Sequence, residues 1–270
     1  ISGKCYLSLQ TYGASANRGA CYQLCRRGYE VIDLETGTQL NIDNKYIMSP
    51  KDLCTIEFMD KIIDAGVKVF KIEGRARSAE YVKRCAQCYR QAADAVCDGT
   101  YTPELAASLK EELSEVFNRG FWDGYYQGAR LGEWSSVYGS SATRKKVYCG
   151  KVTNWFDRIG VAEIAVESAP LKLGAKCMAT GATTGVIEFT VNDLRVALKP
   201  AEEAVKGVRC SVAIVPENKG VRDGDVEINP NADDSPSKSR AEADAVQVNA
   251  DGKIPVRLRR GDKIYIWEEV

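Results

Sequence analysis

The sequence predicts an α/β domain followed by a small all-β domain. A strand-like run at residues 67–72 lies between helix-like segments, and such alternation indicates a parallel sheet with helical crossovers. After Gly139, short β-type runs follow one another closely without a helical pattern between them, which indicates a small barrel or sandwich. We therefore predict an α/β domain over residues 1–140 and a β-domain over residues 145–270.

Three helices are expected in the first domain. The first covers residues 49–66, with Ser49 as its cap and Pro50 in its first turn. The second covers residues 78–97 and the third 102–120, each with apolar side chains at helical spacing. Because only one clear strand–helix unit is present, we expect the α/β architecture to be truncated.

The second domain is predicted from its strands. Seven runs rich in β-forming residues are separated by turn signals, at residues 147–153, 158–166, 171–178, 185–191, 208–215, 254–258 and 263–267. A polar, acidic segment at residues 217–251 interrupts them. It lacks aromatic and large apolar clusters, so we predict a mobile insert that folding does not require.

Composition excludes several kinds of protein. The chain has 37 Lys and Arg and 37 Asp and Glu residues, so no overall charge marks it as a binder of polyanions. No apolar run is long enough to span a membrane and no signal peptide is seen, so we expect a cytoplasmic protein. Histidine is absent, which excludes Ser-His-Asp, Cys-His and His-ligated zinc sites built within this chain.

Three of the ten cysteines form the most informative pattern. Cys5, Cys21 and Cys25 are spaced C-x15-C-x3-C in a glycine-containing segment that we expect to be irregular. Thiolates are soft ligands that suit zinc or iron–sulfur clusters, and in a cytosolic protein clustered cysteines favour metal over disulfides. The alternative is that these cysteines are buried as small apolar residues.

The remaining cysteines predict packing instead. Cys85 and Cys88 form a CxxC pair, but they lie mid-helix on an apolar face, so core packing is favoured over ligation. Cys54 is expected to be buried in a helix, and Cys149, Cys177 and Cys210 fall singly in predicted strands.

Polar residues follow the predicted strand at 67–72. Glu73 and Arg75 stand at its C-terminal end, where active sites of barrels of the (β/α) type collect. The alternative is a structural ion pair at the end of the strand.

Four ordered segments resemble one known family. SGKCYLS, NRGACYQLCR, YIMSPKDLC and KIEGRARSAEYV are similar to consecutive motifs of the collagenase-like peptidase family of unassigned catalytic type, named U-thirty-two. The similarity is specific over about residues 1–130 and looser in the β-domain. In that family a further cysteine stands a few residues before the first motif, so we expect this chain, which opens with Ile1, to lack an N-terminal half that holds a fourth ligand.

The resemblance implies a fold and an activity. The fold is a TIM-type barrel, present here in its C-terminal part, followed by a β-barrel like those of translation factors. The activity is hydroxylation of RNA with a 4Fe–4S cluster and prephenate, most closely 5-hydroxylation of a tRNA uridine. Cys5, Cys21 and Cys25 would ligate the cluster and Glu73 and Arg75 would be catalytic. Lys71, Arg75 and Arg77 would bind the substrate, with Arg75 or Arg77 anchoring the dicarboxylate.

Two other functions stay open. The first is proteolysis, after which the family is named, although a chain without histidine offers no familiar protease machinery. The second is a non-catalytic RNA-binding module that uses the β-domain. Basic residues around the predicted site are compatible with RNA in either case, namely Lys4, Arg18, Arg26, Arg27, Lys71, Arg75, Arg77, Lys83 and Arg84.

Overall fold

A computed structural model shows two compact units. The structure describes residues 4–40, 46, 48–74, 77–129, 132–137, 139–216 and 257–270. The first unit comprises Ile1–Lys145 with Val270, and the second comprises Lys146–Glu269. None of the helices in the described part of the chain is both long and apolar enough to cross a membrane.

The first unit contains the helices and four short strands. Its helices are α1 (Tyr6–Tyr12), α2 (Met59–Asp64), α3 (Ala79–Cys97) and α4 (Pro103–Ser114). Its strands are β1 (Val31–Ile32), β2 (Gln39–Leu40), β3 (Asp52–Leu53) and β4 (Phe121–Trp122). β1 pairs with β2 in antiparallel fashion, whereas β3 and β4 are parallel.

The longer helices form where their apolar residues share one face. In α3 the buried Cys85, Cys88 and Ala92 recur at three- and four-residue spacing, so they lie on a single stripe. This stripe packs against Leu109 and Leu113 of α4 in one apolar core. Burial of a large aliphatic side chain contributes roughly 1.5–3 kcal/mol, so Leu109 and Leu113 contribute most of the energy that holds the two helices together.

Three expectations for the first unit are wrong. No helix begins at Ser49: β3 follows, then a 3-10 turn at Ile56–Phe58, and α2 starts only at Met59. β3 forms there because its backbone hydrogen-bonds to the segment that leads into β4, which outweighs the local helical pattern. The third helix ends at Ser114, well before residue 120, and α1 occupies a segment that we expected to be irregular.

The expected strand at residues 67–72 does not form either. The whole run is described, it has no regular secondary structure, and no described strand pairs with it. Val69 is 84% exposed, although the neighbouring Phe70 packs against the core of the first unit. A strand needs a hydrogen-bonded neighbour, and local propensity alone does not supply one.

The second unit is built on one antiparallel sheet whose strands differ in length. Its strands are β5 (Arg144–Phe156), β6 (Val161–Val166), β7 (Leu171–Lys172), β8 (Lys176–Gly181), β9 (Gly185–Thr190), β10 (Leu194–Val196), β11 (Lys199–Pro200), β12 (Glu203–Ala204), β13 (Arg209–Ala213) and β14 (Lys263–Glu269). Eight of them form a sheet in the order β11-β10-β13-β6-β5-β14-β8-β9, and β12 pairs with β7. Among the described residues no pairing joins β11 to β9, so closure into a barrel stays a prediction.

Alternation of buried and partly buried residues gives this sheet its core. In β6, Ala162, Ile164 and Val166 are buried at every second position, as the period of a strand requires. They pack in one apolar cluster with Phe189 and Leu258. The predicted runs at residues 147–153, 185–191, 208–215 and 263–267 all contain strands here. The predicted run at 254–258 lies mostly outside the described residues, as does the insert at 217–251.

Candidate functional site

The candidate site contains a short segment that carries three accessible thiols. Cys5 precedes α1, Cys21 lies in a loop, and Cys25 sits in the 3-10 turn Leu24–Arg26. All three are partly exposed, and no cysteine of the chain forms a disulfide. These thiols are therefore reachable, as metal ligands must be.

Two buried serines connect the parts of this segment. The backbone N–H of Cys5 donates to Ser15 Oγ at 2.9 Å, and the N–H of Tyr22 donates to Ser8 Oγ at 3.1 Å. Ser8 and Ser15 are 0% and 3% exposed. Because the hydroxyls satisfy the backbone in place of a sheet or helix, they hold α1 and the cysteine loop together.

Six other cysteines are buried, as the sequence predicts. Cys54, Cys85 and Cys88 belong to the core of the first unit, and Cys149, Cys177 and Cys210 to that of the second. Burial raises the pKa of Cys85 and of Cys149 to about 11. Burial also raises the pKa of Cys88 to about 12. Such thiols stay protonated and are poor ligands.

The three accessible thiols fit an iron–sulfur cluster in their chemistry but not yet in their arrangement. Within the described ranges, no group of three or more Cys, Asp or Glu side chains is placed so that it could hold a metal ion. The convergence of sulfurs that one cluster needs is thus not seen for Cys5, Cys21 and Cys25. Assembly of thiolate sites is coupled to binding of the metal itself.

The polar residues after the missing strand are only partly brought into a site. Lys71 and Glu73 are exposed and lie in a segment without regular structure, so Glu73 is not at the end of a strand. Arg75 lies outside the described residues. Arg77, in contrast, is largely buried, and its guanidinium has defined partners.

Arg77 belongs to a cluster that sequence reasoning missed. Nη2 of Arg77 lies 3.7 Å from Oδ1 of Asp52, and Nη1 of Arg119 lies 3.4 Å from the same oxygen. The backbone N–H of Arg119 donates to Oδ2 of Asp52 at 3.1 Å. Both guanidinium groups also face the ring of Phe117, with the central carbon atoms 4.0 Å and 5.0 Å from its centroid. One carboxylate and one aromatic ring thus hold two arginines side by side.

A third arginine approaches from the cysteine segment. Nη1 of Arg26 donates to Ser49 Oγ at 3.1 Å and to the carbonyl of Pro50 at 3.3 Å. Burial lowers the pKa of Arg119, and the positive charges of Arg26 and Arg77 lower it further, while Asp52 opposes them. A guanidinium does not lose its proton in a protein, so the lowered pKa reports first the burial of Arg119 and then the positive charges near it.

Gln23 joins the thiols to the arginines. Its side-chain carbonyl accepts a hydrogen bond from Nη2 of Arg119 at 3.4 Å, and its backbone N–H donates to Sγ of Cys21 at 3.4 Å. Gln23 has φ 50° and ψ 41°, the left-handed region that a residue with a Cβ avoids. Strain of this kind persists only where the surroundings enforce it, and it is often found at functional sites.

The sequence contained little signal for these residues. Asp52 and Arg119 are separated by 67 positions. They meet because β3 and β4 pair in parallel, and β3 was expected to be part of a helix. Of the three arginines of this cluster, Arg26 and Arg77 were among the basic residues expected around the site, whereas Arg119 was not. Arg84, which was grouped with them, is 4% exposed and bound to Glu112, so it does not contribute to a surface for RNA.

Comparison with known proteins identifies relatives of the part that holds this site. Residues 1–136 match the profile of peptidase family U32. A collagenase of Porphyromonas gingivalis is 56% identical over 214 residues, which are 79% of this chain and 52% of that protein. The chain thus spans about half the length of this relative.

Two further relatives are named for work on RNA. A tRNA hydroxylation protein of Bacillus subtilis is 31% identical over 159 residues, covering 57% of this chain and 37% of that protein. A 23S rRNA 5-hydroxycytidine synthase of Escherichia coli is 38% identical over 138 residues, which are 49% of this chain and 21% of that protein. Relatives named for proteolysis and for RNA hydroxylation therefore share this region.

Proposed function

The chain belongs to peptidase family U32, and on this basis we propose that it takes part in iron–sulfur-dependent hydroxylation of RNA. Members of the family are named as hydroxylases and as proteases, so the family is one of enzymes. Because the chain spans only about half of the collagenase it matches, the activity of the whole protein is part of the proposal. A tRNA uridine is the substrate we propose, with prephenate as co-substrate.

The accessibility of the cysteines carries this proposal. Six of the ten thiols are buried, and three of the remaining four lie in the single segment between Cys5 and Cys25. Cys97, at the end of α3, is the fourth. Thiolates are soft ligands, and ligation of iron is the role that the type and spacing of these three accessible thiols favour.

We propose that Cys5, Cys21 and Cys25 supply three thiolate ligands of a 4Fe–4S cluster. The cluster would supply one-electron chemistry when bound. The chain itself contributes the serine-braced backbone that presents the thiols and the N–H of Gln23, which donates to Cys21. Hydrogen bonds to the sulfurs that ligate a cluster adjust the reduction potential of that cluster. The N–H of Gln23 would do so whatever reaction the cluster serves.

Arg77 is the proposed anchor for the carboxylates of prephenate. Its guanidinium is held against Phe117 and Asp52, which leaves a planar donor group with a fixed orientation. Lys71 and Arg75 are proposed to assist it from the segment that precedes α3, and Glu73 to act on the substrate as a carboxylate. The proposal for Arg75 concerns a residue outside the described part of the chain.

An RNA surface is proposed on α1 and the cysteine loop. The rings of Tyr12 and Tyr22 lie 4.7 Å apart, and the guanidinium of Arg27 is 5.9 Å from the centroid of Tyr12. Both tyrosines are exposed. Exposed aromatic rings beside arginines are typical of surfaces that stack unpaired bases and neutralise phosphates.

We also propose that residues 1–140 form part of a TIM-type barrel. The parallel pairing of β3 with β4 supports this, because parallel pairs need crossover connections of the kind that such barrels repeat. We also propose a cytoplasmic location, which is consistent with the proposed RNA substrate.

Anaerobic purification tests the proposal most directly. Iron and sulfide content and the visible absorbance of thiolate-bound iron are measured for the protein, for Cys21→Ser and for Cys97→Ser, the last being a control at an accessible thiol outside the segment. We expect Cys21→Ser to lose the cluster and Cys97→Ser to keep it. Mass spectrometry of tRNA nucleosides from complemented deletion strains then measures the amount of hydroxylated uridine. Retention of both iron and hydroxylated uridine by Cys21→Ser would contradict the proposal.

Proteolysis is the second candidate, because the relative at 56% identity is named a collagenase. It is tested with the same preparations on fluorescent gelatin. Cleavage that persists in Cys21→Ser and after removal of iron would favour this candidate over RNA hydroxylation.

A further inference from the structure

The arginine cluster at β3 and β4 has more positive charge than its structural partners balance. Asp52 is the carboxylate that contacts Arg77 and Arg119, and both contacts use its Oδ1 atom at 3.7 Å and 3.4 Å. Arg26 is held by neutral acceptors, the hydroxyl of Ser49 and the carbonyl of Pro50. Among the described residues, Asp52 is thus the carboxylate that two guanidinium groups share, and Arg26 adds a third positive charge that acts on Arg119.

The cluster is shielded from water. The side chains of Arg119 and Arg77 are 9% and 18% exposed, so bulk solvent screens their mutual repulsion poorly. Bringing like charges together in such a place lowers stability unless an anion joins them. Purely structural arginines are normally matched by carboxylates, as Arg84 is by Glu112 and Glu115.

The cluster is also held rigidly. Phe117 packs against two of the guanidinium planes, Gln23 accepts from Arg119, and Ser49, which is 3% exposed, accepts from Arg26. A guanidinium whose orientation is fixed in advance loses little entropy when it binds a planar carboxylate or a phosphate.

We propose that Arg26, Arg77 and Arg119, arranged around Asp52, form a binding site for a small organic dianion. The choice of prephenate as its ligand rests on the proposed function, whereas the existence of an anion site rests on the cluster alone. Arg26 and Arg119 are thereby assigned as binding residues beside Arg77. Partial burial favours a compact anion over the continuous backbone of a nucleic acid, because the flanking side chains restrict access.

The site lies next to the thiol segment in the structure. Arg26 follows Cys25 in the chain, and Gln23 contacts both Arg119 and Cys21. An anion bound by Arg26 and Arg119 would therefore be placed beside the proposed cluster ligands. Gln23 is the residue through which occupancy of the anion site would be communicated to Cys21.

Isothermal calorimetry at low ionic strength tests the site, with prephenate and inorganic phosphate as separate probes. The variants are Arg119→Gln, Arg26→Gln and, as a matched control on the exposed side of α3, Arg90→Gln. Loss of one charge-assisted contact is expected to weaken binding about 10-fold or more. We expect this for Arg119→Gln and Arg26→Gln and unchanged affinity for Arg90→Gln.

Further variants and the choice of probes distinguish loss of anion binding from loss of folding, and the anion site from the proposed function. Arg26 is held by Ser49 and Pro50 and not by the carboxylate of Asp52, so Arg26→Gln tests the site even where Arg119→Gln fails to fold. Arg119→Lys keeps the positive charge but loses the paired N–H donors of the guanidinium, so we expect an affinity between those of the unchanged protein and of Arg119→Gln. Binding of phosphate but not prephenate would support the anion site and contradict the proposed co-substrate. Binding of neither probe, or equal binding by all variants, would overturn the inference.

Discussion

Arg119 contacts Asp52 twice, through Nη1 at 3.4 Å from Oδ1 and through its backbone N–H at 3.1 Å from Oδ2. The two residues lie on the paired segments β3 and the turn before β4, so the contact fixes this edge of the first unit. The same carboxylate restrains Arg77. Asp52 therefore both braces the fold and limits the positive charge of the arginine cluster.

The first prediction follows from this double role. Asp52→Asn removes the negative charge while keeping the shape, so we expect the unfolding free energy to fall by about 1–3 kcal/mol. The arginines then have no anionic partner of their own, and added phosphate should raise the melting temperature of the variant more than that of the unchanged protein. Thermal unfolding with and without phosphate, at constant ionic strength, measures both effects. Equal shifts in the two proteins would contradict the role given to Asp52.

The second prediction concerns Arg84, which is 4% exposed in α3. Its guanidinium binds Glu112 on α4 at 2.6 Å and Glu115, the residue after α4, at 3.4 Å. Arg84→Ala leaves Glu112 without this partner and Glu115 with Arg144, and it removes the buried stem of Arg84, so we expect a loss of about 1–3 kcal/mol. Arg90→Ala is the control, because Arg90 is exposed and its pair with Asp94 on the same helix contributes only about 0.3–0.5 kcal/mol. Urea unfolding of both variants gives the comparison, and similar midpoints would refute a structural role for Arg84.

The long helices and most strands could be predicted from the sequence because their signals are local. α3 has its apolar stripe and α4 has Thr102, whose hydroxyl accepts from the N–H of Leu105 as a helix cap. The burial of Cys85 and Cys88 followed from the same stripe. Period and capping are properties of neighbouring residues, so one chain suffices to see them.

The structural predictions that were wrong concern segments whose pairing depends on residues far along the chain. The segment at residues 67–72 has strand-forming residues, yet no described strand pairs with it. Asp52 lies in β3 only because β4, almost seventy residues later, offers a parallel neighbour. The site residues Asp52, Arg119 and Gln23 share this difficulty, since their meeting is a consequence of pairing and leaves no spacing pattern in the sequence.

The third prediction uses the close approach of two strands. A Cβ added to Gly150 in β5 would lie 1.9 Å from the backbone carbonyl oxygen of Ala165 in β6. Backbone cannot swing aside as a side chain can, so Gly150→Ala should cost at least about 1–3 kcal/mol and loosen this pair of strands. In Gly132→Ala the new methyl group meets side-chain atoms at 3.4 Å, and we expect little change. Hydrogen exchange at β5 and β6, with melting temperatures, distinguishes the two; equal stability would contradict the clash.

The last prediction concerns the buried thiols and alkaline pH. Burial raises the pKa of Cys210 from its ordinary value of 9.0 to about 12, and it does the same for Cys177. Below pH 9 each thiol is protonated in both the folded and the unfolded chain, so stability is full there. As pH rises from 9 towards 12, the unfolded chain loses these protons first, and stability falls by about 1 kcal/mol per buried thiol for each pH unit.

Urea unfolding at pH 8, 9 and 10 measures this loss. Cys210→Ala removes one titrating group and should reduce the dependence of the unfolding free energy on pH. The same burial predicts that iodoacetamide, added to the folded, iron-free protein at pH 8, labels Cys5, Cys21, Cys25 and Cys97 well before the six buried cysteines. Rapid labelling of Cys177 or Cys210 in the folded protein would show that the sheet of the second unit is open around them, and the predicted pH dependence would then be lost with it.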